Sequence, residues 1–211
     1  MVRRTHALAL AALLAAPMAA AGCGGVPSPS PSTQGATTVI LVRHAEKMTT
    51  DPRDPNPALT PEGEQRAREL ARLLRDRHVA GVITTQFART SLTGKPTADA
   101  AHVPLDSVLV SRDLAAHVAA VAERVRTRYA GKTVLVVGHS NTVTKIITAL
   151  GGPPLADICD PAYGNLFTLV IPAEGAPRLT RGHYGAADPP AAPGCVDGLM
   201  EPRPAPAPAP R

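Results

Sequence analysis

TTVILVRHAEK (residues 37–47) runs an unbroken apolar stretch straight into an arginine, a histidine and a glutamate. Six β-branched or aliphatic-rich positions without polar alternation describe a strand covered on both faces, the kind found in parallel sheets flanked by helices. Arginine is among the side chains most often left in solvent, so a strand reaching the surface would account for Arg43 alone. A second stretch, KTVLVVGH (residues 132–139), repeats the pattern and ends in His139 as the first ends in His44. If the two strands are neighbours, their imidazoles meet at one edge of the sheet.

Outward from these strands the patterns alternate. TPEGEQRARELARLLRDRH (60–78) offers Thr60 as an N-cap, Pro61 at the first helical position and Ala67, Leu70, Ala71 and Leu74 on one face. VAGVITT (79–85) reads as a strand, ARTSLTGKPTADAA (88–101) as a helix weakened by Gly94 and Pro96, and SVLV (107–110) as a third strand. RDLAAHVAAVAERVRTRYAG (112–131) is an amphipathic helix with Gly131 near its end, and NTVTKIITALGG (141–152) a helix closed by glycines. NLFTLVI (165–171) and RLTRGHY (178–184) finish as strands joined by a turn. This order predicts an α/β domain with a largely parallel central sheet and helices on both faces, with ligands at the carboxyl ends of the strands.

The ends of the chain have a different character. Residues 1–22 combine Arg3 and Arg4, an apolar run and small residues before Cys23, the pattern of an export signal. The motif AAGC resembles the lipobox of bacterial lipoproteins, which makes Cys23 the expected lipidation site and the membrane an expected partner. A Gly/Pro/Ser tether follows over residues 23–36, the domain is expected over 37–185, and residues 186–211 read as a Pro/Ala-rich disordered tail. The expected location is the cell envelope, as an exported, membrane-anchored lipoprotein. Net charge is +5, and about +3 once Arg3 and Arg4 are removed. With no Trp, 3 Tyr and 2 Phe, the chain has little to stack on bases, and no nucleic-acid partner is expected. After lipidation two cysteines remain, Cys159 and Cys195, in loop-like surroundings. A bridge and two free thiols are both compatible with the sequence.

Arg89, just beyond the strand in VITTQFART (82–90), falls on the same rim as Arg43. Two guanidiniums and two imidazoles at one edge suit a tetrahedral anion, because guanidinium forks match phosphate oxygens and keep their charge. A metal ion would be repelled there, so no metal and no cofactor are expected.

LVRHAEK (41–47), LTPEGEQRA (59–67), TTQFARTSLT (84–93) and VVGHSNT (136–142) together resemble, in order, the motifs of the histidine phosphatase superfamily, in its small RHAEK phosphatase branch. The resemblance implies a phosphoglycerate mutase-like three-layer sandwich. It implies that His44 is the nucleophile that becomes phosphorylated and that Arg43, Arg89 and His139 hold the phosphoryl group. The backbone N–H groups where SNT opens the next helix, at Asn141, are expected to add to its binding. Ala45 stands where the family most often has glycine, and Thr90 and Gly94 where alanines are usual. The family's general acid has no clear counterpart. Among Asp99, Asp106, Asp113, Glu123 and Glu46, the choice is Asp113, which follows the third strand at the active rim, although an Asp there also suits a helix N-terminus. His117 and His183 are read as structural. The expected function is a metal-independent, lipid-anchored phosphatase that hydrolyses a small phosphate monoester or phosphoramidate through phosphohistidine. The alternatives are a non-catalytic phosphate-ligand binding module and, for want of the extra segments, less readily a phosphomutase.

Overall fold

The computed structural model describes residues 35–190 and 193–201; the signal, lipobox and most of the tether lie outside them. Strands β1 (Thr37–Arg43), β2 (Val79–Thr84), β3 (Leu105–Ser107), β4 (Thr133–Gly138), β5 (Asn165–Ile171) and β6 (Arg178–His183) form one sheet in the order β3-β2-β4-β1-β5-β6. The first four strands of that order are parallel, β5 runs antiparallel to β1, and β6 runs antiparallel to β5. The predicted largely parallel α/β architecture is borne out.

Helices α1 (Pro61–Leu73), α2 (Ala88–Ala101), α3 (Leu114–Arg128) and α4 (Val143–Ala149) cover both faces. The alternation along β1 shows how. Ile40 and Val42 pack with Leu70, Leu74, Ala98, Leu135 and Val137 on the side of α1 and α2. Val39 and Leu41 pack with Val121, Val125, Val143 and Ile146 on the side of α3 and α4. A strand at the centre of two such layers has no polar face, which explains the unbroken run VILV.

Helix α1 begins as its sequence predicts, with Thr60 accepting from the Gly63 amide at 3.2 Å and Pro61 in the first turn. Gly63 also allows a close approach: a Cβ there would lie 2.2 Å from the Glu46 carbonyl oxygen. Helix α2 runs unbroken through Gly94 and Pro96. Its glycine is a packing device, since a Cβ at 94 would lie 2.8 Å from Val82 Cγ1, and its absence lets the helix settle on β2 and β4.

Two expectations are corrected. The third strand is Leu105–Ser107 rather than 107–110. Residues 109 and 110 leave the sheet edge because the Gln86 side-chain amide takes both backbone groups of Val110, at 2.8 and 2.9 Å, and so substitutes for a neighbouring strand. The tail does not begin at 186. Residues 195–200 fold back as the hairpin β7 (Cys195–Val196) and β8 (Leu199–Met200), Leu199 joins the core, and Cys159 and Cys195 are bridged with Cα atoms 6.0 Å apart. Closing a segment of that separation, 36 residues, stabilises the domain by about 4 kcal/mol on the chain-entropy model. Pro/Ala-rich composition hid this because the bridge and one buried leucine hold the hairpin, not a hydrophobic run.

Candidate active site

The parallel pairing of β1 with β4 sets Arg43 opposite Gly138, and the next residues on each strand are the two histidines. The His44 amide donates to the Gly138 carbonyl at 2.9 Å, extending the ladder by one bond. The imidazoles meet edge to face, with centroids 5.5 Å apart. Arg43, His44, Arg89, His139 and Asn141 line one cleft of about 570 Å³, along with Lys47, Phe87, Ser111, Arg112 and Asp160. Five of the six residues predicted for the cleft are brought together there.

His44 is fixed from both sides. Its Nδ1 donates to the Ala45 carbonyl at 2.8 Å, which leaves Nε2 as the atom carrying the lone pair. That peptide is itself held, because the Ala45 amide donates to Thr93 Oγ1 at 2.9 Å, and Thr93 donates to the Arg89 carbonyl at 2.7 Å. The Ala45 methyl is buried in a small cluster with Leu59 and Ala67, so alanine is accommodated where glycine was expected. Burial lowers the His44 imidazole to about 3, with Arg43, His139 and Arg89 adding to the effect against the Ala45 hydrogen bond. Burial, not the neighbouring guanidiniums, is the larger cause of its neutrality.

His139 is lowered to about 4, first by burial and then by Arg89, His117 and Arg43. Its Nε2 lies 3.2 Å from Thr85 Oγ1, which lies 2.9 Å from Thr90 Oγ1, and the Phe87 ring meets the imidazole edge to face. Thr90, unexpected by family pattern, is fully buried and closes this chain by donating to the Phe87 carbonyl at 2.8 Å. Thr85 is not singled out by the sequence and Thr90 only as a departure from the family pattern, because a threonine in TTQFART carries no signal of which histidine it will meet.

Arg43 is 3 % exposed and uses three of its five N–H groups. Nη1 donates to the Cys159 carbonyl at 2.9 Å and to the Asp160 carbonyl, and Nη2 donates to Asp160 Oδ1 at 2.8 Å. The guanidinium also stacks 4.3 Å from the Tyr163 ring centroid. What remains is Nε–H, buried and without a partner, and the second Nη2 proton, which together form a side-on fork. Arg89 stacks on Phe87 at 4.2 Å, and its Nε is likewise buried and unpartnered. Burial, and after it the Arg43 charge, lowers the Arg89 guanidinium. Two adjacent cations with unsatisfied buried donors are what an anion would complete.

The carboxylates are placed elsewhere. Asp113 is the exposed N-cap of α3, accepting from the Ala116 amide at 3.0 Å, and does not line the cleft. Its capping role is the one that the residue type at that position favours. Asp106 pairs with Arg124 and Arg128, Asp99 with Lys95, and Glu46 with Arg66 at 2.7 Å. Asp160 is the one carboxylate on the cleft among the described residues, and it is bonded to Arg43. Asn141 lines the cleft beside Ser140, but the next amides, Thr142 and Val143, donate to the His139 carbonyl at 3.1 Å each and are not open to a ligand. His117, expected to be structural, donates from Nδ1 to the Leu109 carbonyl at 3.0 Å. Among the described residues no three His, Cys, Asp or Glu side chains converge as a metal site.

Comparison with known proteins agrees with this geometry. Residues 39–108 match the histidine phosphatase superfamily (branch 1). The resemblance carried by the four motifs is borne out, and the matched segment holds Arg43, His44 and Arg89, while His139 joins them through the β1–β4 pairing. No protein of curated function matches the sequence. The fold is that of several solved structures. The protein histidine phosphatase SixA, complexed with tungstate, superposes with a TM-score of 0.54 at 18% identity, over 69% of this chain and 96% of its own. A mycobacterial glucosyl-3-phosphoglycerate phosphatase gives 0.55 at 14%, over 72% and 100%. The phosphoglycerate mutase of Bacillus anthracis str. Sterne gives 0.53 at 13%, over 70% and 93%.

Proposed function

We propose that the protein is a phosphatase working through phosphohistidine on His44. The observation that carries this reading is the Nδ1–Ala45 hydrogen bond, which leaves a neutral, buried imidazole with Nε2 as its nucleophilic atom beside two guanidinium edges without partners. The phosphoryl group enters with its oxygens on Arg43 Nε and Nη2, Arg89 and His139. Nε2 attacks phosphorus as the leaving group departs on the opposite side, and water then attacks the phosphohistidine to release inorganic phosphate. Little covalent work remains for the protein beyond in-line positioning and stabilisation of the equatorial oxygens.

The substrate class follows from the carboxylates. With Asp113 capping α3 and Asp160 bonded to Arg43, no carboxyl group in the cleft among the described residues is free to protonate a poor alkoxide leaving group. A phosphoimidazole, whose ring nitrogen takes a proton from solvent near neutral pH and so leaves as neutral imidazole, and an activated ester depart without such help, and the tungstate-bound neighbour is itself named a protein histidine phosphatase. Reaction without a metal is part of the proposal, since Arg43 and Arg89 already occupy the place of a divalent cation. The lipobox reading adds that Cys23 anchors the enzyme to a membrane, and Cys23→Ser should move it to the soluble fraction.

The test is turnover of p-nitrophenyl phosphate and phosphoimidazole by the mature protein, with quenching in alkaline denaturant to trap the intermediate. A base-stable, acid-labile phosphoryl group on His44, absent from His44→Ala, and a kcat/KM for phosphoimidazole at least a hundredfold above that for an alkyl phosphate are expected. Phosphate binding without any turnover would make the chain the binding module. Equal rates on both leaving groups would require an acid that the cleft does not supply.

A further inference from the structure

We propose that the C-terminal hairpin β7–β8 is a positioning device for Arg43, acting through the Cys159–Cys195 bridge. Between α4 and β5 the chain has no helix or strand apart from a single bridge at Ile158, so no ladder of its own holds residues 157–163 in place. The hairpin supplies one. Ile158 bridges to Leu199, the Cys159 amide donates to the Gly198 carbonyl at 2.9 Å, the Met200 amide donates to the Asp157 carbonyl at 2.8 Å, and the disulfide closes the set.

The same segment holds the arginine. Cys159 couples the two, since its sulfur carries the hairpin while its carbonyl accepts from Arg43 Nη1. Asp160 supplies the other two acceptors, and Tyr163 stacks on the guanidinium plane. These contacts fix the rotation of the guanidinium and therefore where its two remaining protons point. Asp160 is 97 % exposed in its side chain, so its acceptors are kept in register through its backbone, which the hairpin braces alongside the bond from the Ile158 amide to the Ser140 carbonyl at 2.9 Å. Without the bridge the acceptors would fluctuate, and the side-on fork would lose its aim while the charge stayed. An error of about 1 Å in such a group costs on the order of a hundredfold in rate, so a partial loss of aim is readily measured.

The proposal rests on the phosphatase reading for its kinetic arm alone. Inorganic phosphate binding, by calorimetry well below the unfolding temperature, tests it independently. Cys195→Ala, and wild type reduced by a dithiol that is itself oxidised to its cyclic disulfide, should each weaken phosphate binding about tenfold and raise KM for p-nitrophenyl phosphate more than they lower kcat. In an Arg43→Lys or Arg43→Gln background, loss of the bridge should change phosphate affinity less than twofold. In Arg89→Ala it should still cost about tenfold, because none of the hydrogen bonds that hold the segment or join it to Arg43 involves Arg89. Should the Arg43 variants not fold, the ¹⁵Nε resonance of Arg43 in the wild type should shift on reduction while that of Arg89 holds. An equal loss with and without Arg43, an unmoved resonance or undiminished affinity after reduction would each overturn the proposal. Phosphate binding without turnover would end the phosphatase reading and leave the affinity arm to decide this one. No phosphate binding by the wild type would end both.

Discussion

His44 should make the domain's stability depend on pH in a defined window. Its imidazole titrates near the ordinary value of 6.5 when unfolded and is lowered to about 3 when folded, mainly by burial. Between those limits the unfolded chain binds a proton that the folded one refuses. The contribution is therefore fully present above about pH 6.5 and is lost as pH falls toward 3. Each pH unit inside the window is worth about 1.4 kcal/mol for one such group, so acidification to pH 5 removes about 2 kcal/mol. His44→Asn abolishes this term, and its amide can still donate to the Ala45 carbonyl. The assay is urea unfolding at pH 7.5 and pH 5 in phosphate-free buffer, comparing wild type with His44→Asn so that all other titrating groups cancel. With a urea m-value of about 2 kcal/mol/M, the wild-type midpoint should fall about 1 M further than that of the variant. Equal pH shifts for the two proteins, or an NMR titration placing His44 above pH 6, would show that the imidazole is not held neutral by burial and would remove the argument for a ready nucleophile.

Thr85→Val should lower kcat/KM for an activated phosphate ester roughly tenfold by freeing His139 to rotate, with no comparable change in unfolding midpoint, a loss on the scale of one hydrogen bond. Gly63→Ala should destabilise the domain by at least about 2 kcal/mol in chemical unfolding, because its methyl meets backbone, not a movable side chain, at the Glu46 carbonyl. Chelation followed by dialysis should leave turnover unchanged; activity lost to EDTA and restored by zinc or magnesium would recast the two histidines as ligands.

The sequence by itself determined the layered α/β order and the rim at which it acts. Apolar runs such as VILV and VLVV declare strands covered on both faces, and the residues that end them, Arg43, His44 and His139, can then only stand at the carboxyl edge. Periodicity is a local property, so it survives being read one residue at a time, and the long helices α1 and α3 fall within a few residues of their predicted spans. Tertiary structure decided what depends on partners distant in the chain. Asp113 is the acid that the sequence favours and Asp160 is not among its candidates, yet the first caps a helix and the second lies on the cleft and grips Arg43, because a carboxylate's role is set by the donors that the fold brings to it. Thr85, Thr90 and Thr93 orient the site through hydrogen bonds that no spacing announces. Cys159 and Cys195 had no readable Cα separation until β8 folded back onto the segment before β5. That single long-range closure turned a Pro/Ala-rich ending into a support for the active site.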